Sequence, residues 1–446
     1  MVLQDTDTGR RSLTPAGIAF YCIANFGFGA FYALNNWILP LWFAGYNARA
    51  SVTGMLSDSS SVEGAIVQPI VGSWSDRLRT RYGRRRPFML LFVPLSSALV
   101  LITPEAGHLP IGIRSFGMIA CIVLFTMCFN IAADPYQALL ADLTTQHERS
   151  KVTGIWNFTG MLGQVAILVI PLSLQGRFVY AAVVMAITTL WTCFTIKEDP
   201  LPPEDTSDHN AQGIVQGALQ QHFQDLKASF EGLKVLRQAK LFLLMYFLYG
   251  LALGAIQPHL SRFVQSTTGC TSAQALQVVL ALLASAGVAS IPFGWLTVAI
   301  GPRAMMIAGT LFIALASLGG YWVRTTPEIV GVLIFAGLGL AAQFAASFPL
   351  LTQVVPADEV GYYTGLQSTA KSLSTPLSAY FAGKLVDHYR AASGAASASG
   401  AFHLIFIVGF VFIAFSALAL IAMRPAQADE EIATRRSERS AAAATS

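Results

Sequence analysis

Gln68-Pro69-Ile70-Val71-Gly72-Ser73-Trp74-Ser75-Asp76-Arg77, then Leu78-Arg79-Thr80-Arg81-Tyr82, then Gly83-Arg84-Arg85-Arg86-Pro87-Phe88, is the stretch whose reading decides the fold. Arg77, Arg79, Arg81, Arg84, Arg85 and Arg86 form the densest basic cluster in the chain, and it lies between two apolar runs. A basic knot between segments apolar enough for hydrocarbon marks a short loop on the positive side of a membrane.

The composition agrees with that placement. Of 446 residues, 54% are hydrophobic and 12% charged, against about 25% charged in soluble domains. The chain reads as a polytopic membrane protein. Its net charge of +4 is spread over short turns, which disfavours nucleic acid as a partner. Cys22, Cys121, Cys128 and Cys193 fall inside apolar runs and Cys270 near a loop, so neither a disulfide framework nor a metal site is expected. With no HExxH, nucleophile elbow or phosphate loop, an enzyme is not expected either.

Apolar segments of spanning length, about 20 residues, lie near 17–43, 50–75, 87–104, 112–140, 152–174 and 177–196. Six more follow near 241–263, 272–298, 303–323, 328–353, 360–387 and 400–423. The expected fold class is all-α, with twelve transmembrane helices in two six-helix bundles. The expected divisions are an N-tail over 1–16, bundles over 17–196 and 241–423, a linker over 197–240 and a tail over 424–446.

Six arginines, Arg49, Arg114, Arg177, Arg262, Arg324 and Arg390, fall one per loop on one side, whereas twenty of the 28 Lys and Arg fall on the other. That asymmetry places both termini in the cytoplasm, in a multi-pass protein of the plasma (inner) membrane. In the linker, Leu219, Phe223, Leu226, Phe230 and Leu233 mark one stripe of an amphipathic helix lying on the inner leaflet. The tail beyond Arg424 reads as disordered.

A weak repeat relates the halves. Gln68-Pro69-Ile70-Val71-Gly72 closes the second span and Ile291-Pro292-Phe293-Gly294 the eighth; Pro135 and Gly154 bracket one turn, Pro349 and Gly365 its counterpart. Duplicated bundles of this kind are the architecture of major facilitator transporters. Gly72, Asp76, Arg77, Gly83, Arg84 and Arg85 follow the loop signature of that superfamily, with five residues between Arg77 and Gly83 where the common form has one. The full run, with Ala138-Leu139-Leu140-Ala141-Asp142-Leu143 ending the fourth span, resembles the plant sucrose/proton symporters and their animal and bacterial relatives. The resemblance implies transport without covalent chemistry, in a monomer. It also carries a departure: the residue before Ala138 is an arginine implicated in sugar binding in the symporters, and here it is Gln137. Their fourth-span acid falls at Thr126.

In the loop, Gly72 permits close helix approach and Asp76 can face the positive end of the eleventh span near Gly361. The arginines, with Arg149, anchor the cytoplasmic end and are expected to engage Asp142 or Glu148. A sugar site needs donors and acceptors in a cavity, with an aromatic surface beside them. Thr126, Asn130, Asp134 and Gln137 recur at steps of four, four and three on one stripe. Asn25, Tyr32 and Asn36 do so on the first span, Asp58, Ser61 and Gln68 on the second, and Asn157 and Gln164 on the fifth. Trp37 and Trp156 are candidate stacking platforms. Ionisable groups inside a bilayer are functional hypotheses by default: Asp134 is the first candidate to carry a coupling proton, followed by Asp58, Glu63 and Lys371. His259 reads as a solvated or gating histidine without metal partners.

The expected function is symport of a sugar or glycoside with a cation, a proton or alternatively sodium, by alternating access, with no other cofactor. The alternatives are a facilitator or exporter of another small polar metabolite and a membrane receptor that transports nothing.

Overall fold

In a computed structural model the described residues are 3–5, 11–46, 48–57, 67, 71, 75, 78, 80, 82–144, 146–196, 198, 236–356, 360–393, 398–428 and 430–433. A short antiparallel pair, β1 (Leu3–Asp5) and β2 (Arg11–Leu13), precedes the first helix. Thr14 starts that helix: its hydroxyl accepts from the Gly17 amide at 3.1 Å, and Pro15 occupies the first helical position, where a missing N–H costs nothing. α1 (Pro15–Ala33) continues through a π-helical turn, Leu34–Ile38, into α2 (Leu39–Ala44) as one span.

α3 (Ala50–Ser57) is the described part of the second span. α4 (Arg86–Ala106), α5 (Ile111–Leu143), α6 (Gln146–Val169) and α7 (Leu174–Thr195) complete the first six. The second six are α8 (Arg237–Thr268), α9 (Ser272–Ile300), α10 (Pro302–Trp322), α11 (Thr326–Val354), α12 (Val360–Ser393) and, after the short α13 (Ala398–Ala401), α14 (Leu404–Ala422). Among the described residues ten stretches are long and apolar enough to cross a membrane. The other two of the twelve spans are the second, only partly described, and α12, whose polarity comes from Lys371 together with Gln367, Ser368, Thr369, Ser372, Ser374 and Thr375.

Boundaries differ from the sequence expectation where local chemistry overrides hydropathy. The fifth span ends at Val169 rather than 174, because Pro171 breaks the turn and Ser173 caps α7 by accepting from Gly176 at 3.0 Å. The stripe over 219–233 lies outside the described residues, as do residues 434–446. The tail next to Arg424 is not disordered where it is described. Arg424 donates its backbone N–H to Gln238 Oε1 at 2.7 Å, and Glu431 accepts from the Gln238 amide at 3.0 Å. Those contacts tie the tail to the start of α8.

The chain forms two units, Met1–Tyr46 with Ser59–His222, and Asn47–Asp58 with Phe223–Ser446. In the first, α1 crosses α6 where Gly29 lies on the Gly160 carbonyl and Gly163 on the Phe26 carbonyl. Small residues are what let two helix backbones touch in lipid. In the second, Gly250 meets Ser374 and Gly254 meets Thr375 between α8 and α12. The first and fifth spans of one half and the seventh and eleventh of the other are thus joined by the same device, a physical trace of the repeat. The core of the second unit gathers Leu236, Phe242, Met245, Leu350, Tyr363 and Leu420, and Ser416 fastens α14 to α8 through the Met245 carbonyl at 3.0 Å. Residues 47–58, which the sequence places in the first bundle, pack in this second unit.

Candidate functional site

The polar stripe of α5 emerges graded in exposure along the helix. Thr126 is fully buried and its hydroxyl donates to the Ile122 carbonyl at 2.8 Å, so it serves its own helix. Asn130 is buried, Asp134 half-buried and Gln137 exposed. Of the stripe, the Asp134–Gln137 end is therefore the more exposed part.

Facing this stripe, α1 contributes a wall of rings. Phe31 stacks on Phe129 with centroids 3.9 Å apart, and Tyr32 meets the same ring edge-on at 5.3 Å. About three turns away along α1, Tyr21 and Tyr136 exchange hydrogen bonds, each hydroxyl donating to the other's carbonyl at 2.8 Å with the rings stacked at 4.8 Å. This reciprocal pair fixes the register of α1 on α5.

The other expected binding residues are distributed as follows. Asn25 is buried and donates from Nδ2 to the Trp156 carbonyl at 2.6 Å, which assigns its amide to holding α1 on α6. Trp156 is half-buried, 6.4 Å from Tyr136, whereas Trp37 is 2% exposed, too enclosed to stack on a ligand in this arrangement. Asn36 and Gln164 are half-buried and Asn157 is exposed. Asp58, Glu63 and Gln68 lie outside the described residues. Lys371, half-buried on α12, belongs to the second unit.

Sequence reading passed over Asn35. It is 1% exposed with both amide atoms lacking a protein partner, and it sits in the π-helical turn. Such turns are rare and concentrate at functional positions; nothing in Leu34-Asn35-Asn36-Trp37-Ile38 signals one.

At the loop motif, Gly72, Asp76 and Arg77 lie outside the described residues, as do the side chains of Asp142 and Arg149. The rest of the motif is organised by an acid at the start of the linker, Glu198. Glu198 accepts from the Arg85 backbone N–H at 3.1 and 3.0 Å and from Arg86 at 3.4 Å, and its Oε1 lies 4.0 Å from Arg84 Nε. It thereby caps the N-terminus of α4, where free N–H groups favour a negative charge. Gly83 adopts φ +95° and leaves no room for a Cβ beside the Glu198 carboxylate. Thr80 closes the turn by donating to the Gly83 carbonyl at 2.5 Å, and Arg85 Nη1 donates to Ser75 Oγ. The acid in Lys197-Glu198-Asp199-Pro200 was visible; its pairing with a loop over a hundred residues earlier was not.

His259 corrects an expectation. It is fully buried rather than solvated, with Nε2 at 3.0 Å from the Ala379 carbonyl, because the close approach of α12 and α3 to α8 encloses it. No cluster of three potential metal ligands occurs among the described residues.

Comparisons with known proteins bear on the family and the fold. Residues 20–430 match the family model described as MFS/sugar transport protein. The chain is 26% identical to a lactose permease of Lactobacillus helveticus over 216 residues, which is 40% of this chain and 34% of that one. It is 27% identical to the sucrose transport protein SUC3 of Arabidopsis thaliana over 31% of this chain and 30% of that one. The human proton-associated sugar transporter A is also 27% identical, over 32% of this chain and 22% of that one. The matched stretches thus span about a third or less of these relatives. Solved structures extend the likeness of fold over most of the chain. A bacterial homologue of the lysosomal transporter Spinster, inward-facing, gives a TM-score of 0.70 at 14% identity, covering 92% of this chain and 97% of that one. A D-xylose-proton symporter gives 0.64 at 15% identity, covering the same shares.

Proposed function

Since the chain belongs to the MFS/sugar transport protein family, we propose that it carries a sugar or glycoside across the membrane with a cation, a proton in the first instance, by alternating access of its two units. The observation that carries this reading is half-buried Asp134 on one helical stripe with buried Asn130 and exposed Gln137, neutral polar residues on either side of it. Gln137 offers a donor and an acceptor to hydroxyl groups, and Tyr32 and Trp156 offer faces for the C–H side of a ring. A carboxyl in low-polarity surroundings can load and release a proton, so protonation and sugar binding at neighbouring positions favour the same state. The sugar-transporting relatives point the same way.

The same reading places both termini in the cytoplasm and the protein, as a monomer, in the plasma (inner) membrane. It assigns the cytoplasmic gate to Gly72, Asp76, Arg77, Gly83, Arg84, Arg85, Asp142 and Arg149, to which Glu198 is added. Proteoliposomes offered a panel of labelled sugars, with a pH gradient, a sodium gradient or neither, test the assignment. Accumulation of at least one sugar under the pH gradient alone is expected. Binding without movement of any sugar under all three conditions would overturn it.

A further inference from the structure

Residues 48–57 are fastened inside the second unit by contacts that the transport reading does not use. Asp387, on α12, accepts through Oδ1 from the Ala50 amide at 2.7 Å and through Oδ2 from the Ser51 amide at 3.0 Å and the Ser51 hydroxyl at 2.7 Å. The two amides are among the first N–H groups of α3, which have no partner within the helix. Asp387 is therefore an N-cap supplied by another helix more than three hundred residues away, and a charged one. Charge-assisted hydrogen bonds of this kind are about twice as strong as neutral ones.

Arg262, on α8 and 5% exposed, completes the seam. Its Nη1 donates to the Ala48 carbonyl at 3.3 Å and to Thr53 Oγ1 at 3.1 Å, while its guanidinium lies 5.5 Å over the Phe402 ring. Arg390 packs on the same ring at 4.7 Å. Two glycines bring the backbones together. A Cβ on Gly54 would lie 2.6 Å from His259 Cε1 and 2.8 Å from the Ala379 carbonyl, and one on Gly383 would strike the Ser51 backbone. Polar groups and glycines thus meet along one line on α3, α8 and α12.

The chain on both sides of this segment, up to Tyr46 and from Ser59, belongs to the first unit. Any displacement of the units during a transport cycle must therefore part the seam or bend the second span. We propose that Asp387, with Arg262, is the latch that holds the start of the second span on α8 and α12 while the substrate path is closed to the outside, and that it opens once per cycle. The proposal rests on the transporter reading and on the orientation given above, in which Arg49, Arg262 and Arg390 face outward. Asp387 is here a positioning residue: it does not touch the solute, and it sets the balance between two states.

The test uses the full chain with Cys270→Ser and Ser57→Cys, a fully buried position one helical turn and a half beyond Ser51, and an impermeant maleimide added from outside. Asp387→Asn removes the charge and one acceptor, and should raise the labelling rate about tenfold, the equivalent of about one weak charged hydrogen bond. It should also lower the outside KM for the transported sugar while Vmax falls, because the outward-competent fraction rises. A purely structural defect would lower Vmax with KM unchanged. Ser51→Ala, which removes only the hydroxyl contact, should give a smaller rise of about threefold and covers the case in which Asp387→Asn does not fold. Labelling equal to that of the parent in every variant that folds would overturn the latch. Labelling needs no sugar, so faster labelling in a protein that moves no sugar would keep the latch and reject the transport reading instead.

Discussion

At Gly83 two requirements meet in one residue: a left-handed backbone at φ +95° and a carboxylate seated where a side chain would begin. Non-glycine residues there cost roughly 1–2 kcal/mol from backbone sterics alone, and a methyl group also displaces Glu198. Gly83→Ala should therefore lower the thermal midpoint in detergent more than Glu198→Gln does, and the double variant should lose less than the sum, since both act on one cap. Tyr136→Phe removes the hydroxyl's bond to the Tyr21 carbonyl, which keeps its donor within α1, and is expected to cost about 0.5–1.5 kcal/mol, read as a lower midpoint. His403 stands in the turn before α14, with Arg324 Nη1 at 2.9 Å from its Nδ1 and Phe263 and Tyr321 edge-on. Burial first, then the charge of Arg324, holds its pKa below the ordinary histidine value. A histidine whose folded pKa is lowered loses stability as pH falls from its unfolded value toward the folded one. Thermal stability should thus decline below about pH 6.5, and His403→Gln should flatten that decline.

At the scale of elements, glycine contacts decide which helices can touch. Gly163 lies on the Phe26 carbonyl between α1 and α6, and Gly254 on Thr375 between α8 and α12. Gly163→Leu and Gly254→Leu are each expected to force these pairs apart, with reduced yield of folded protein on size-exclusion chromatography. Gly154→Leu, whose Cβ meets nothing, should be neutral. The spans were legible because hydropathy is a property of segments, and their ends came within a few residues wherever no proline or cap intervened. The stripe of Asn130, Asp134 and Gln137 was legible for the same reason, since helical spacing carries it. What the sequence could not convey were relations between distant positions and departures from helical geometry. Glu198 reaching Arg85, Asp387 capping α3 and the π turn around Asn35 leave no local pattern. Asn25 shows the converse case: a polar residue at the right spacing proved to be bound to Trp156.

At the scale of the whole molecule, the chain forms two units, and residues 47–58 join the second although their neighbours in sequence belong to the first. Coupling by Asp134 is a claim at this scale, because it links ion loading at one residue to a change of the entire protein. Asp134→Asn is expected to abolish sugar accumulation driven by a pH gradient, with more than a tenfold loss, while sugar exchange without a gradient persists. Accumulation equal to that of the parent would remove Asp134 from the coupling path. The central claim is reached most directly by recording sugar and proton fluxes together in proteoliposomes with no imposed gradient. Adding a transported sugar outside should alkalinise the outer medium in step with labelled sugar entering. Sugar entry with no movement of protons, while a sodium gradient drives accumulation, would contradict proton symport.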